Sequence, residues 1–183
     1  MARDAKLLAM SSLLSREQRL AAALGDLVAL RPAIEGGEPW PLSDTFGTEP
    51  EATWGPRETL AHVQEMLPFW QGEIERVLAG LGSDTAEEPP FGRVATDELR
   101  LAVIERDRTL PVRELFGRIE AGVGRMRGRL DELGERELAR RGRHPRLGPL
   151  TVAEILDRFV VGHLEEHVDQ LRDILKGTGT AEA

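Results

Sequence analysis

The chain has 183 residues, of which 40% are hydrophobic and 31% charged, with a net charge of −8 and no cysteine. This length suits one domain with a hydrophobic core, and the acidic balance argues against nucleic acid as the main partner, because phosphate binding needs a basic face. The absence of cysteine excludes disulfides, thiolate metal sites and a cysteine nucleophile. We expect neither a signal peptide nor a membrane span, and therefore a cytoplasmic protein.

The first predicted helix runs from about Arg16 to Arg31. Ser15 and Gln18 form a capping box at its start, and Pro32 closes it. Its apolar residues recur at helical spacing and form one stripe, made of Leu20, Leu24, Leu27 and Val28. The residues before Ser15 are expected to form either a short extra helix or a frayed end.

The second predicted helix begins at Pro56, since proline suits the first helical position, and ends at Gly80 and Gly82. Pro68 lies inside it and should kink it, because proline removes one backbone hydrogen bond. Its apolar stripe repeats every three or four residues, a spacing that suits packing against other helices, and consists of Leu60, Val63, Leu67, Trp70, Ile74, Val77 and Leu81.

The third and fourth predicted helices lie in the second half of the chain. The third begins at Pro111 and stops at Gly134. The fourth begins with a capping box of Thr151 and Glu154 and ends at Gly177. No strand pattern competes with these helices, so the sequence predicts an all-α protein.

The connections between the predicted helices differ in length. Residues 35–54 form a long loop rich in proline and glycine, and residues 82–110 form a longer one with a short predicted helix around Asp97 to Arg106. A connection of that length lets the third helix run parallel to the second. We therefore predict a four-helix bundle with long first and second connections, in a single domain of residues 1–177, followed by a disordered tail of residues 178–183.

Three of the four histidines lie on or beside apolar stripes. His163 and His167 are four residues apart and share one helix face. At a rise of 1.5 Å per residue, they lie about 18–24 Å from the start of the fourth helix, and His62 about 10 Å from the start of the second. If these two helices, each nearly 40 Å long, run antiparallel, the three imidazoles lie near one point.

Three imidazoles suit a zinc, nickel, iron or copper ion, and imidazole alone does not choose among these metals. Three protein ligands leave a position open for water or substrate, as in catalytic sites. Buried histidines that bond only to their neighbours would show the same spacing, so both interpretations stay open. The inverted zinc-peptidase pattern H-x-x-E-H also fits at residues 163–167, but it needs a third ligand downstream, where only Glu182 remains.

Three short motifs occur in an order and spacing that resemble a known family. They are residues 54–62, WGPRETLAH; residues 144–151, HPRLGPLT; and residues 163–170, HLEEHVDQ. They resemble the metal-ligand segments of the DinB-like superfamily, and the likeness extends from about Leu13 to Leu175.

The resemblance implies a fold, a ligand set and a reaction class. It implies a four-helix bundle in up-down-down-up order and one divalent metal ion, zinc, nickel or iron, held by His62, His163 and His167. Related transferases and isomerases activate a low-molecular-weight thiol, so we expect a thiol-dependent transferase acting on a small molecule. A metal-dependent hydrolase and a non-catalytic bundle are the alternatives. The family also favours a homodimer.

Side chains near the predicted ligands are candidates for further roles. Glu58, Glu166 and Gln170 are candidates for contacts that orient the ligands or carry protons, whereas Glu65 is expected on a solvated helix edge. Substrate could bind against Trp54 and to arginines of the second connection, whose guanidinium groups suit a carboxylate, namely Arg100, Arg106 and Arg108. The arginine-rich stretch of residues 136–146 is interpreted as a solvated loop.

Overall fold

The computed structural model describes residues 2–47, 51–79 and 88–179. The described residues are mostly helical, as predicted, with one small sheet. In chain order the elements are α1 (Ala2–Gly36), a 3-10 turn (Glu51–Thr53), α2 (Pro56–Ala79), α3 (Glu98–Asp107), α4 (Val112–Asp131), α5 (Glu135–Leu138), β1 (Arg141–His144), β2 (Gly148–Thr151), α6 (Val152–Ile155), a π-helical segment (Leu156–Val161) and α7 (Gly162–Gly179). Across these ranges, no helix has the length and apolarity needed to cross a membrane.

Helix α1 is longer than predicted at both ends. Ser15 lies inside the helix rather than at a cap, and Pro32 does not end it. Continuing past Pro32 sacrifices one backbone hydrogen bond, but it buries Ile34 completely in the core. The Trp40 indole N–H donates to the Ile34 carbonyl at 2.7 Å, which satisfies one of the last carbonyls of the helix.

Helices α2 and α3 lie where the sequence predicts them. Helix α2 begins at Pro56 and contains Pro68, and its described part ends at Ala79; the predicted stops at Gly80 and Gly82 fall outside the described residues. In α3, the Asp97 carboxylate accepts a hydrogen bond from the Arg100 backbone N–H at 2.9 Å and caps the helix.

The prediction that no strand forms was wrong for the segment after α5. Strands β1 and β2 form an antiparallel hairpin in which Arg141 pairs with Thr151 and His144 with Gly148. Arg141 and Arg143 form ion pairs with Glu88 at 3.2 and 3.1 Å. The arginine-rich stretch is therefore partly a strand rather than a solvated loop. Strands of four residues are too short for a pattern of alternating polarity to reveal them.

The last helix is built from three parts. The predicted capping box begins it: the Glu154 N–H donates to the Thr151 hydroxyl at 3.1 Å, and the Thr151 N–H donates to the Glu154 carboxylate at 2.7 Å. The π-helical segment follows, and the Gly162 N–H donates to the Asp157 carbonyl. Helix α7 is described as far as Gly179, past the predicted end at Gly177, and residues 180–183 of the predicted tail fall outside the described residues.

In the described part of the chain, four long helical stretches enclose the core. Helix α1 packs on α4 and α7, and α2 packs on the same two helices. Trp70 of α2 stacks on Phe159 of the π-helical segment, with ring centroids 4.2 Å apart. This contact joins the middle of α2 to the residues just before α7. The first two turns of α2 and the first two turns of α7 meet beside it, and the histidines lie there.

Candidate metal centre

The three imidazoles meet where α2 faces the start of α7. The Nε2 atom of His163 lies 2.9 Å from Nε2 of His62 and 3.2 Å from Nε2 of His167. His62 and His167 are buried, and the His163 side chain is 25% exposed. The site therefore has an interior side, at His62, and an outer side, at His163.

The other ring nitrogen of each histidine lies near a side-chain oxygen. The Gln170 carbonyl oxygen lies 2.8 Å from Nδ1 of His167, and a Glu166 oxygen lies 3.4 Å from Nδ1 of His163. The nearest carboxylate to Nδ1 of His62 is that of Glu65, at 3.7 Å. The oxygen acceptors at His167 and His163 favour a hydrogen on Nδ1 and a lone pair on Nε2 of these two rings. At His62, Glu65 is beyond hydrogen-bond distance, and the Arg100 guanidinium group lies 3.5 Å from Nδ1 and 3.3 Å from Nε2.

Burial keeps these imidazoles neutral. Desolvation is the main cause that lowers the pKa of His62 well below its ordinary value, with help from the charges of His167 and Arg100. The pKa of His163 is lowered by the same burial. Burial and the neighbouring His163 lower the pKa of His167 to about 4. Metal ions bind the neutral form of imidazole, so the three rings are in their ligand form at neutral pH.

Glu51 joins the histidines and was not predicted from the sequence. Its Oε2 atom lies 4.0 Å from Nε2 of His167. The Gln170 amide N–H donates to the Glu51 backbone carbonyl at 2.7 Å, so one amide side chain contacts both residues. Glu51 sits in a loop without periodicity, and its position depends on bonds to distant parts of the chain. No spacing pattern in the sequence points to it.

The four side chains fit a metal ion. One ligand atom from each of Glu51, His62, His163 and His167 lies within 4.8 Å of all the others. In a tetrahedral centre with metal–nitrogen bonds of about 2.0–2.1 Å, the nitrogens are about 3.3 Å apart. The observed separations of 2.9 and 3.2 Å are close to that value. A divalent cation between these nitrogens would accept their lone pairs, in place of the contacts between the Nε2 atoms and the contact of Arg100 with Nε2 of His62.

A smaller pocket of about 130 Å³, called the inner cavity below, adjoins the His62 side of the cluster and is partly open to solvent at Val94 and Ala95. The Arg100 side chain is 5% exposed and its guanidinium group lies 3.3 Å from Nε2 of His62. Arg100 also pairs with Glu51 and donates to the Ala95 carbonyl at 2.9 Å. The cavity is lined by aromatic, aliphatic and cationic side chains together with the cluster, namely Glu51, His62, Trp70, Arg93, Val94, Ala95, Arg100, Phe159 and His163.

A larger, more open groove of about 750 Å³ lies on the outer side. It is lined by members of the cluster and by residues of α7, namely Glu51, His163, Glu166, His167, Asp169, Gln170, Asp173 and Ile174. The cluster therefore lies between the inner cavity and a groove open to solvent. A small molecule can reach it without unfolding either helix.

Two of the predicted neighbours contact the cluster from α7. Gln170 bonds to His167 as described, which makes it the best-placed of the three candidates for orienting a ligand. Glu166 lies beside His163, but its side chain is 76% exposed. Glu65 is buried and pairs with Arg93 at 2.5 Å, so the expected solvated helix edge was wrong for this residue.

Of Glu58 and the three arginines of the second connection, one side chain contacts the cluster. Glu58 is buried, and it accepts from Arg108 at 3.0 Å and from the Ser43 N–H at 2.8 Å. Arg106 is largely exposed and pairs with Asp107 at 2.6 Å. Only Arg100 of the three predicted arginines reaches the cluster.

The aromatic wall of the site includes the predicted Trp54. It is buried, and its ring packs edge-on against His62 with centroids 5.6 Å apart. Arg93, which sequence reasoning did not single out, also lines the cavity and forms an ion pair with Glu65. The site thus combines imidazole ligands, one carboxylate, two guanidinium groups and aromatic walls.

Comparison with known sequences agrees with this geometry. Searches of curated proteins and of solved structures found no significant match to the chain. A sequence model of the DinB superfamily matches residues 14–171, which include the elements that carry the four clustered side chains. The chain belongs to the DinB superfamily.

Proposed function

We propose that the protein binds one divalent metal ion through His62, His163 and His167, and that it is a transferase that uses a small thiol as its nucleophile. The observation that carries the proposal is the meeting of three neutral Nε2 atoms beside an open groove. A bound divalent ion with neutral ligands would lower the pKa of a thiol and so supply a thiolate at neutral pH.

The protein's own residues have separate roles in this proposal. Gln170 orients His167, and Glu166 does so more weakly for His163 because it is exposed. Trp54 shields His62 from solvent, which strengthens electrostatic interactions inside the site. The chain contains no cysteine, so the thiol must come from outside.

The inner cavity suits an electrophile with a group that accepts hydrogen bonds. Arg93 and Arg100 place guanidinium groups on its lining, and Trp70 and Phe159 supply flat apolar walls. Guanidinium groups bind carboxylates well, while the aromatic walls suit an unsaturated carbon skeleton. Of the three predicted arginines, only Arg100 is therefore proposed to face the substrate, and it does so while paired with Glu51. Arg106 and Arg108 are not proposed to bind substrate, because neither contacts the cluster.

We also propose the up-down-down-up order for the four long helical stretches. Contacts between the helices support it. Ion-pair positions advance together along α1 and the last helical stretch, and in opposite directions along α1 and α4. Along α2 and α4, Leu67 lies beside Gly122, and further along both helices Glu75 pairs with Arg129. The pairs are Arg129–Glu75, Arg16–Asp157, Arg19–Glu165, Arg172–Asp26, Arg127–Glu17 and Arg31–Glu120. The cytoplasmic location and the homodimer stay predictions.

Conjugation of a small thiol to an electrophile at pH 7 tests the function. We expect metal-loaded protein to accelerate it, and His62→Ala to lose that acceleration while keeping the helical content measured by circular dichroism. The surface variant Arg106→Gln is the control and should keep the rate. A full rate in His62→Ala, or no metal-dependent rate with any thiol, would refute the transferase proposal and leave a metal-dependent hydrolase as the next function to test.

A further inference from the structure

Glu51 is the one charged member of the four clustered side chains, and its two oxygens face different partners. Oε1 pairs with Arg100, and Oε2 lies 4.0 Å from Nε2 of His167. The carboxylate thus lies between a fixed guanidinium group and the point where the imidazoles converge. Its side chain is 31% exposed, and it lines both the inner cavity and the outer groove.

The positive charges at the proposed metal site and at Arg100 favour an anion at the position of Glu51. Three neutral imidazoles leave a divalent ion with its full charge. Arg100 adds a further positive charge 3.3 Å from Nε2 of His62, and it is buried. Like charges this close repel strongly when water is excluded. The charge of Arg93 is already balanced by Glu65, which lies 2.5 Å from it. Glu51 therefore remains to offset the positive charges of both Arg100 and the metal.

The backbone holds Glu51 in position for this role. Its carbonyl accepts from Gln170, which also accepts from His167. The backbone N–H of Trp54 donates to the same carbonyl at 3.0 Å, just after the 3-10 turn. The backbone at Glu51 is therefore tied to the position of a predicted ligand, and from there the carboxylate reaches Arg100 with one oxygen and the cluster with the other.

We propose that the Glu51 carboxylate is a fourth ligand of the resting metal site, and that an incoming anion displaces it while Arg100 retains it. This inference rests on the proposed metal site but not on the proposed reaction. One carboxylate oxygen leaves the metal and one donor atom of the anion takes its place, so the charge of the centre is unchanged. The site then favours anionic ligands, such as a thiolate, over neutral ones.

Cobalt binding tests the proposal without any assay of activity. Metal-free wild-type protein and Glu51→Gln are titrated with Co²⁺, and the visible absorption of the bound ion and its affinity, from competition with a chelator, are measured. We expect the Glu51→Gln variant to bind Co²⁺ about 10–100-fold more weakly and with a changed spectrum, because a ligand and a negative charge are lost. Glu51→Ala provides a second variant if Gln still coordinates through its amide oxygen.

A matched control separates this effect from a general loss of charge. Asp169 lines the same outer groove, pairs with Arg172 and contributes no ligand atom to the cluster. Asp169→Asn removes the same charge and should keep the wild-type Co²⁺ affinity and spectrum. Circular dichroism of all three variants checks that the helices are intact.

Thiocyanate then tests displacement. It should bind to Co²⁺-loaded Glu51→Gln at lower concentration than to Co²⁺-loaded wild type, because no carboxylate competes with it. Weaker metal binding together with tighter anion binding is the combination that a merely structural role of Glu51 would not produce. Wild-type affinity and spectrum in both Glu51 variants would overturn the inference and leave the three-histidine site standing. No Co²⁺ binding by the wild type would overturn the metal site itself.

Discussion

The three clustered histidines differ from His144 in what their ring nitrogens contact. In His144, Nδ1 accepts from the backbone N–H groups of Arg146 and Leu147, both at 3.3 Å, so the hydrogen of the neutral ring is on Nε2. Its ring stacks on Phe159, with centroids 5.4 Å apart, and packs edge-on against Phe91. No second imidazole lies against it among the described residues.

This difference separates a binding role from a structural one. At the cluster, side-chain oxygens near Nδ1 of His163 and His167 leave the Nε2 lone pairs of these rings available for a cation, whereas at His144 the lone pair on Nδ1 is used by the hairpin backbone. A Cβ atom at Gly92 would lie 2.4 Å from Cδ2 of His144, so the backbone packs against this ring as closely as it can. Burial alone therefore does not identify a ligand; the contacts of the second nitrogen do.

The largest expected effect concerns metal content. Wild-type protein is expected to carry close to one divalent ion per chain, and replacing His163 and His167 together by alanine should abolish it. His144→Asn, which keeps a hydrogen-bond acceptor in the hairpin, should leave the metal content unchanged. Elemental analysis of the purified proteins measures all three. Equal metal loss in the His144 variant would erase the distinction between the two regions.

The free energy of unfolding should show the opposite order: we expect it to depend more on His144 than on the clustered His163. His144→Ala removes ring contacts with two phenylalanines and leaves two backbone N–H groups without their acceptor, so we expect a loss of about 2–4 kcal/mol in the free energy of unfolding. His163→Ala in metal-free protein should change the free energy of unfolding by less than about 1 kcal/mol, because the His163 ring is partly exposed and its Nε2 atom faces other ring nitrogens. Urea unfolding of metal-free samples compares them, and similar losses would contradict this interpretation.

Gln170 gives a smaller effect, on affinity. Gln170→Ala removes the acceptor beside Nδ1 of His167 and should weaken metal binding about 10–100-fold, as chelator competition would show. Gln170→Glu keeps an acceptor oxygen but loses the donor to Glu51, so it should recover part of the affinity. If both variants bind metal like the wild type, Gln170 serves only to hold the loop.

The smallest effect is the pH dependence at His144. Burial lowers the pKa of this ring, helped by the nearby charges of Arg158 and Arg146. The unfolded chain therefore binds a proton more readily than the folded one. The stabilisation from the neutral ring is complete above about pH 6.5 and is lost as the pH falls through the lower folded pKa.

A matched comparison isolates that contribution from those of the other histidines. The difference in unfolding free energy between metal-free wild type and His144→Asn should shrink from pH 7.5 to pH 5. His163→Asn and wild type, measured alongside, show how much of the slope belongs to the cluster. A constant difference between wild type and His144→Asn would mean that the ring keeps its ordinary pKa.

Much of the helical framework followed from the sequence, because apolar periodicity and caps are local properties. The start of α2 at Pro56, the short helix α3 and the capping box at Thr151 were predicted and are confirmed. Pro32 was wrong as a helix end, since the helix continues to bury Ile34. The hairpin was missed because its strands are held by pairing with each other rather than by a repeated pattern.

The sequence by itself determined that three histidines can face one another, since a spacing of four residues and the rise of a helix set their heights. Only the tertiary structure decided that their Nε2 atoms meet and that Glu51, Arg93 and Arg100 surround them. The π-helical segment turns the helix just before His163, which no regular period describes. Glu51 lies in an aperiodic loop, and long-range bonds to Gln170 and Arg100 set its position. Periodicity reports the face of a helix, but bonds between distant residues decide which loop side chains reach it.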